Sequence, residues 1–275
     1  MSTFQYGAQV HANGIRQHYL RYGGVERHES GRLPIIIIPG ITSPAVTWGF
    51  VGERFGAQFD VYILDVRGRG LTESGPDLDY SVDAQAADVV AFAQALGLSR
   101  YCLVGHSMGA RIGARAAALA GPCLDRLVLV DPPVSGPGRR SYPAQLAWYV
   151  DSIAQAAHGI DIEGMRKFCP TWTDEQLHLR AQWLHTCNSA AVVRSFEDFH
   201  TDDFHADLAH LTVPTLLMAA ERGDVVQDAD VKEIEALVSD LCFVRVPGAG
   251  HMIPWDNEPG FYAALGDFLG VPLAV

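Results

Sequence analysis

Short apolar runs recur along the chain, and several are apolar at every position rather than at every second one. Leu33-Pro-Ile-Ile-Ile-Ile-Pro-Gly40 is the clearest, followed by Val61-Tyr-Ile-Leu-Asp65, Tyr101 to Val104 and Leu127 to Val130. Val213 to Ala220 and Leu241 to Val246 follow the same habit with one polar position in each, Thr215 and Arg245. Runs of this kind suit strands buried on both faces of a parallel sheet. Ahead of them, His11-Ala-Asn-Gly14 sits between two partly alternating stretches and predicts a β-hairpin closed by an Asn-Gly turn. Val25 to Arg32 reads as a polar loop.

Between the runs the period changes. Val82, Ala86, Val89, Val90, Phe92 and Leu96 fall at helical spacing and predict a helix from Val82 to Leu96. Further helices are expected from near Met108, from about Ala229 to Val238 and around Phe261 to Leu269. This alternation implies an α/β fold with a mostly parallel sheet and helices on both faces. One stretch breaks the rhythm. From about Pro137 to Asp207 no strand-like run occurs, and helical patterns at Pro143 to Gln155, Ile162 to Phe168, Asp174 to Thr186 and Ala190 to Phe199 replace it. The expectation is a core made of residues 1–136 and 208–275, with a helical cap inserted over 137–207.

Composition narrows the class. A chain of 275 residues with 48% hydrophobic content makes one large domain, or one with such an insertion. A net charge of −12 speaks against nucleic acid and anionic membrane surfaces as partners. No apolar run reaches the ~18 residues of a membrane span, and the opening lacks the basic and apolar regions of a secretory signal. Five scattered cysteines without a C-x-x-C pair read as reduced thiols, so a cytoplasmic location is expected. The eleven histidines show no metal-binding spacing, and neither a metal nor an organic cofactor is expected.

The chemistry concentrates at Gly105-His-Ser-Met-Gly109, which leaves an apolar run and enters a helical pattern. A serine making that transition in one step is forced into a strained backbone, and the positions two before and two after it must lack side chains. Ser107 then stands at a helix N-terminus, where unpaired N–H groups favour negative charge. Ligands on a parallel sheet bind beyond the carboxyl ends of its strands. His251 lies there, after Gly248-Ala-Gly250 at the end of the last strand, and histidine titrates near neutral pH as a general base must. Two aspartates can orient it: Asp131, directly after Leu127 to Val130, and Asp224, after the strand that follows the cap.

Taken together, Pro39-Gly40 after a strand, Asp65-Val-Arg-Gly-Arg-Gly70, Gly105-His-Ser-Met-Gly109, a helical insert and Gly248-Ala-Gly-His251 resemble the α/β-hydrolases, in that family's order from about residue 15 onward. The resemblance implies a Ser107-His251 pair, an acid, and an oxyanion hole made by the backbone N–H groups of Ile41 and Met108. Two departures stand out. Pro39-Gly40 replaces the usual His-Gly, and the post-cap acid motif G-x-x-D is replaced by Ala220-Glu-Arg-Gly223 with Asp224 one residue late. The slip favours Asp131, which some members use. Gly105 to Arg111, Leu129 to Arg140 and Gly250 to Trp255 are most similar to amide hydrolases that act on small acids in pyridine-ring catabolism. That likeness implies cleavage of a C–N amide bond in a small anionic molecule, and hence a cation for its carboxylate. Among Arg139, Arg140, Arg166, Lys167, Arg180 and Arg194 of the cap, Arg166 is the expected one, with Trp183 as an apolar wall. Arg67, Arg69 and Arg111 are expected to be structural. A carboxylesterase, an enol-lactonase or a C–C bond hydrolase would use the same machinery, and a non-catalytic binding protein would keep only the fold.

Overall fold

Alternate residues of the apolar runs go to opposite faces of one sheet. In the computed structural model, which describes residues 2–24 and 31–273, Ile36 and Ile38 enter one core with Leu103, Leu127, Leu129 and Leu217. Ile35 and Ile37 enter a second core with Val104, Val128, Leu216 and Met218. All four isoleucines have no exposed surface, and each such side chain contributes about 1.5–3 kcal/mol by leaving water. A strand buried on both faces has no position left for a polar residue, which is why the run is unbroken.

The strands are β1 (Phe4–Ala12), β2 (Ile15–Tyr22), β3 (Ile35–Ile38), β4 (Val61–Leu64), β5 (Tyr101–His106), β6 (Leu124–Val130), β7 (Thr215–Ala220) and β8 (Leu241–Val246). They pair in the order β1-β2-β4-β3-β5-β6-β7-β8. β2 runs antiparallel to β1 and β4, and every other pairing is parallel. The expected Asn-Gly turn joins β1 to β2: Asn13 and Gly14 have φ of 50° and 76°, and Ala12 pairs with Ile15. Residues 25–30 of the loop expected over Val25 to Arg32 lie outside the described residues. The helices Val82–Ala95 and Met108–Ala120 close the first core, and Gly49–Gly56 and Glu258–Leu269 close the second.

Some bounds differ from the expectations. β6 begins at Leu124 rather than Leu127, and β5 continues to His106. Pattern alone gave no element to the segment after β3, yet Ala45–Trp48 and Gly49–Gly56 are helical turns. Gly49, Gly52 and Gly56 weaken its intrinsic helical preference. Burial of Trp48, Val51 and Phe55 overrides it.

Between β6 and β7 the chain forms the helices Leu146–Ala157, Ile162–Arg166, Asp174–Trp183, Ser189–Thr201 and Phe204–Leu208. Side chains at Asp161, Thr173, Asn188 and Asp203 cap four of their N-termini, satisfying donors that have no partner within a helix. Two arginines of the helix Met108–Ala120 tie this insert down. Arg111 donates to the carbonyls of Pro133 (2.9 Å), Ser135 (3.0 Å), Asp198 (3.1 Å) and Asp202 (2.8 Å), the structural role expected of it. Arg115 pairs with Asp83, Asp202 and Asp207. No helix among the described residues is long and apolar enough to cross a membrane.

Candidate active site

The turn between β5 and the helix Met108–Ala120 has no room for side chains at its two glycines. A Cβ on Gly105 would stand 2.2 Å from the Gly109 carbonyl oxygen, and one on Gly109 would stand 1.9 Å from that of Ile38. Ser107 between them has φ 54° and ψ −119°, a conformation that non-glycine residues rarely adopt. Its N–H donates to Val130 O (2.8 Å), which locks the strained residue onto the end of β6. Gly109→Ala is therefore expected to destabilise the fold by at least about 1–3 kcal/mol, the usual cost of overpacking, because the atoms its Cβ would meet, on Ile38 and Pro39, are all backbone. Gly113→Ala, one turn on, meets mainly the movable Leu127 side chain at 3.2 Å and should be near neutral. Urea melts of the two variants make the comparison.

His251 follows β8, and its ring spans two partners. Nδ1 lies 2.7 Å from Asp131 Oδ2, and Nε2 lies 3.0 Å from Ser107 Oγ. A carboxylate only accepts, so Nδ1 carries the proton, and Nε2 is left to accept the serine hydroxyl. Asp131 is itself tightly held. Its N–H donates to Met218 O (2.7 Å), its Oδ1 accepts the N–H of Ala220 (3.1 Å), and its φ is 45°. Asp224 lies on the exposed loop after β7, and no hydrogen bond joins its carboxylate to His251 among the described residues.

His106 supports the same ring from behind. Its Nε2 donates to the His251 carbonyl oxygen (2.9 Å), and the two imidazoles lie 5.0 Å apart. Complete burial, with His251 nearby, pulls its pKa down to about 3, so it stays neutral. The unfolded chain binds a proton there near pH 6.5 and the native state does not until about pH 3. The unfolded state therefore holds more protons between those values, and the contribution of His106 to stability is lost as pH falls through that window. Urea unfolding of His106→Gln should show a shallower loss of stability from pH 6.5 to 4 than the unaltered protein, by up to one proton.

Ile41 and Met108 are the expected oxyanion donors. Met108 is the first residue of its helix, so its N–H has no acceptor within it. The carbonyl of Ile41 is held by Arg69, whose Nε donates to Ile41 O (3.1 Å). Arg69 also reaches Ala191 O (3.1 Å) and Ser195 Oγ (2.9 Å) on the helix Ser189–Thr201, linking insert to loop. Arg67 makes a two-pronged pair with Asp88 at 2.5 Å on each side. Both arginines are structural, as expected.

A cavity of about 490 Å³ opens over Ser107 and His251, with walls that are mostly apolar. It corrects the expected substrate contacts. Arg166 pairs with Asp174 and Glu163 and donates to Trp172 O (3.2 Å), so it belongs to the outer surface of the insert rather than the cavity wall. Trp183 is not in the wall either. Arg180, Trp148 and Trp172 are. The helix carrying Arg180 and Trp183 has no clear apolar stripe (it reads Asp-Glu-Gln-Leu-His-Leu-Arg-Ala-Gln-Trp), so nothing in its sequence says which face turns inward.

Tyr142 and Tyr149 escaped the sequence reading altogether. The Tyr142 hydroxyl lies 3.4 Å from His251 Nε2 and 3.3 Å from the Tyr149 hydroxyl. Burial raises the pKa of both phenols, so each remains a neutral donor. No motif marks a tyrosine in Arg140-Ser-Tyr-Pro, and only the folded insert brings it to His251.

A serine, a histidine and an aspartate in one hydrogen-bonded line, at the carboxyl ends of parallel strands, are equipped for acyl transfer. Comparison with known proteins agrees. The family model described as alpha/beta hydrolase fold matches residues 34–258. N-formylmaleamate deformylase of Pseudomonas putida is 61% identical over 273 residues, covering 99% of this chain and all of that one. 2-(Acetamidomethylene)succinate hydrolase of Mesorhizobium japonicum is 25% identical over 82% of this chain and 84% of its own. A crystal structure of N-formylmaleamic acid deformylase from Pseudomonas putida S16, solved as a serine-to-alanine variant, has a TM-score of 0.89 at 54% identity, covering 94% of this chain and all of that one. With strand order, elbow and site geometry in place, this chain belongs to the α/β-hydrolase family and is an enzyme of it.

Proposed function

We propose that the protein hydrolyses N-formylmaleamate to maleamate and formate, with Ser107 as nucleophile, His251 as general base and acid, and Asp131 as the residue that orients it. The observation that carries the substrate is the 61% identity to a deformylase over essentially the whole of both chains. Residues 137–207 act as a cap over the site in this reading, and a cytoplasmic location goes with it.

The reaction runs in two halves. Ser107 Oγ gives its proton to His251 Nε2 and attacks the formyl carbon, and the oxyanion rests on the N–H groups of Ile41 and Met108. The imidazolium returns that proton to the maleamate nitrogen as the C–N bond breaks, leaving a formyl ester on Ser107. Water, deprotonated by the same imidazole, attacks the ester, and formate leaves as Ser107 regains its proton. The nitrogen sits between two acyl groups, so it departs more readily than that of a simple amide.

Incubation with N-formylmaleamate, with formate and maleamate quantified, tests the reading. Equimolar formation of both supports it. Turnover of simple esters or lactones without release of formate would replace it with another hydrolase specificity.

A further inference from the structure

We infer that Arg180 is a substrate-binding residue that takes an anionic end of the ligand, a carboxylate, and so sets the charge preference of the cavity. The inference rests on the proposal that the cavity over Ser107 is where the reaction occurs.

Arg180 is 3% exposed and lines that cavity together with Ser107 and His251. Its recorded hydrogen bonds are to neutral groups of one residue: Nη1 donates to Thr42 O and Nη2 to Thr42 Oγ1, each at 3.1 Å. A guanidinium has five N–H donors. Nε is buried with no hydrogen-bond partner among the described residues. Nor does Arg180 have a carboxylate partner among them. The other arginines of the insert do: Arg139 pairs with Glu233, Arg140 with Asp230, Arg166 with Asp174 and Arg194 with Asp198. A buried cation left without a counter-charge is costly, and an arriving carboxylate supplies both the charge and the acceptors it lacks.

The surroundings fix the guanidinium for that task. Its carbon lies 5.7 Å from the Trp148 ring and 5.6 Å from the Trp172 ring. Their faces hold the cation in place and keep water from it without taking up its N–H groups. Thr42, its anchor, is the neighbour of Ile41. The anionic end and the reacting carbonyl are thus positioned from one short loop.

Two substrate pairs test this. One is N-formylmaleamate and its methyl ester; the other is mono-4-nitrophenyl succinate and 4-nitrophenyl butyrate. The unaltered enzyme should favour the anionic member of each pair. Arg180→Gln should lower kcat/KM on the anionic member roughly 100-fold, mainly through KM, the scale of a lost charged hydrogen bond. The loss on the neutral member should be at least about tenfold smaller, and Arg180→Lys should recover part of the preference. Binding of maleate, followed by calorimetry, should weaken in parallel, and it gives an answer with Arg180→Lys even if the glutamine variant does not fold. Equal losses on both members would mean that Arg180 only props the Thr42 loop, and would overturn the inference. So would an unaltered enzyme with no anionic preference. If N-formylmaleamate is not hydrolysed while the nitrophenyl pair shows an Arg180-dependent preference, the proposed substrate falls and the role of Arg180 stands.

Discussion

Ser107→Ala is expected to abolish turnover of N-formylmaleamate, lowering kcat by a factor on the order of 10⁵ or more, as removal of a triad serine does elsewhere. The basis is local. Ser107 Oγ is 3.0 Å from His251 Nε2 and stands at the start of the helix Met108–Ala120. The fold should tolerate the change, because the constraint at this turn falls on its glycines and backbone rather than on the hydroxyl. Loss of one hydrogen bond should cost within about 1 kcal/mol of stability, and alanine inherits the same positive φ. A fluorophosphonate probe should label the unaltered protein at Ser107 and leave the variant unlabelled. Labelling at a different residue, or retention of more than about 1% of activity in a properly folded variant, would remove Ser107 from the mechanism.

What could be read from the sequence shares a physical character. Ile35–Ile38 announces a doubly buried strand because burial on both faces leaves no polar position. Gly105 and Gly109 announce the elbow because any side chain there would strike backbone, and Asn13-Gly14 announces its turn through positive φ. Each is a constraint between chain neighbours, or between one residue and the sheet it must join. What could not be read depends on which face a helix turns inward. Arg166 and Arg180 both lie among the short helices of the insert, and the sequence pointed to Trp183 where the cavity wall holds Trp172. Only the packing of Leu177 and Arg180 inward, with Arg166 left to Asp174, separates them. Tyr142 lies beyond sequence reasoning for the same reason, and so does the contact of Arg69 with the Ile41 carbonyl. The helix over Gly49–Gly56 was hidden by its glycines, and only its tertiary burial forms it.

The acid of the proposed triad is the point where two residues were open and a variant can decide. Asp131→Asn is expected to lower kcat by up to ~10⁴, the cost when the analogous aspartate of a serine protease is replaced. An asparagine at that position can offer its NH₂ to His251 Nδ1. The ring would then carry its proton on Nε2, where it must instead accept one from Ser107. The folded structure should survive, since the Asp131 N–H still donates to Met218 O and the new amide oxygen can still accept from Ala220. Asparagine also tolerates the φ of 45° at this position better than most residues do. Asp224→Asn should keep activity within about tenfold, equivalent to ~1.4 kcal/mol of barrier. Its carboxylate sits on an exposed loop and touches neither His251 nor Ser107 among the described hydrogen bonds. A pH–rate profile sharpens the test. Asp131→Asn should regain part of its activity at high pH, where hydroxide offsets the missing base, whereas a purely structural defect would not recover. If Asp224→Asn proved the more damaging change in folded protein, the acid would move to the loop after β7, and the 2.7 Å contact between Asp131 and His251 would be a support rather than part of the chemistry.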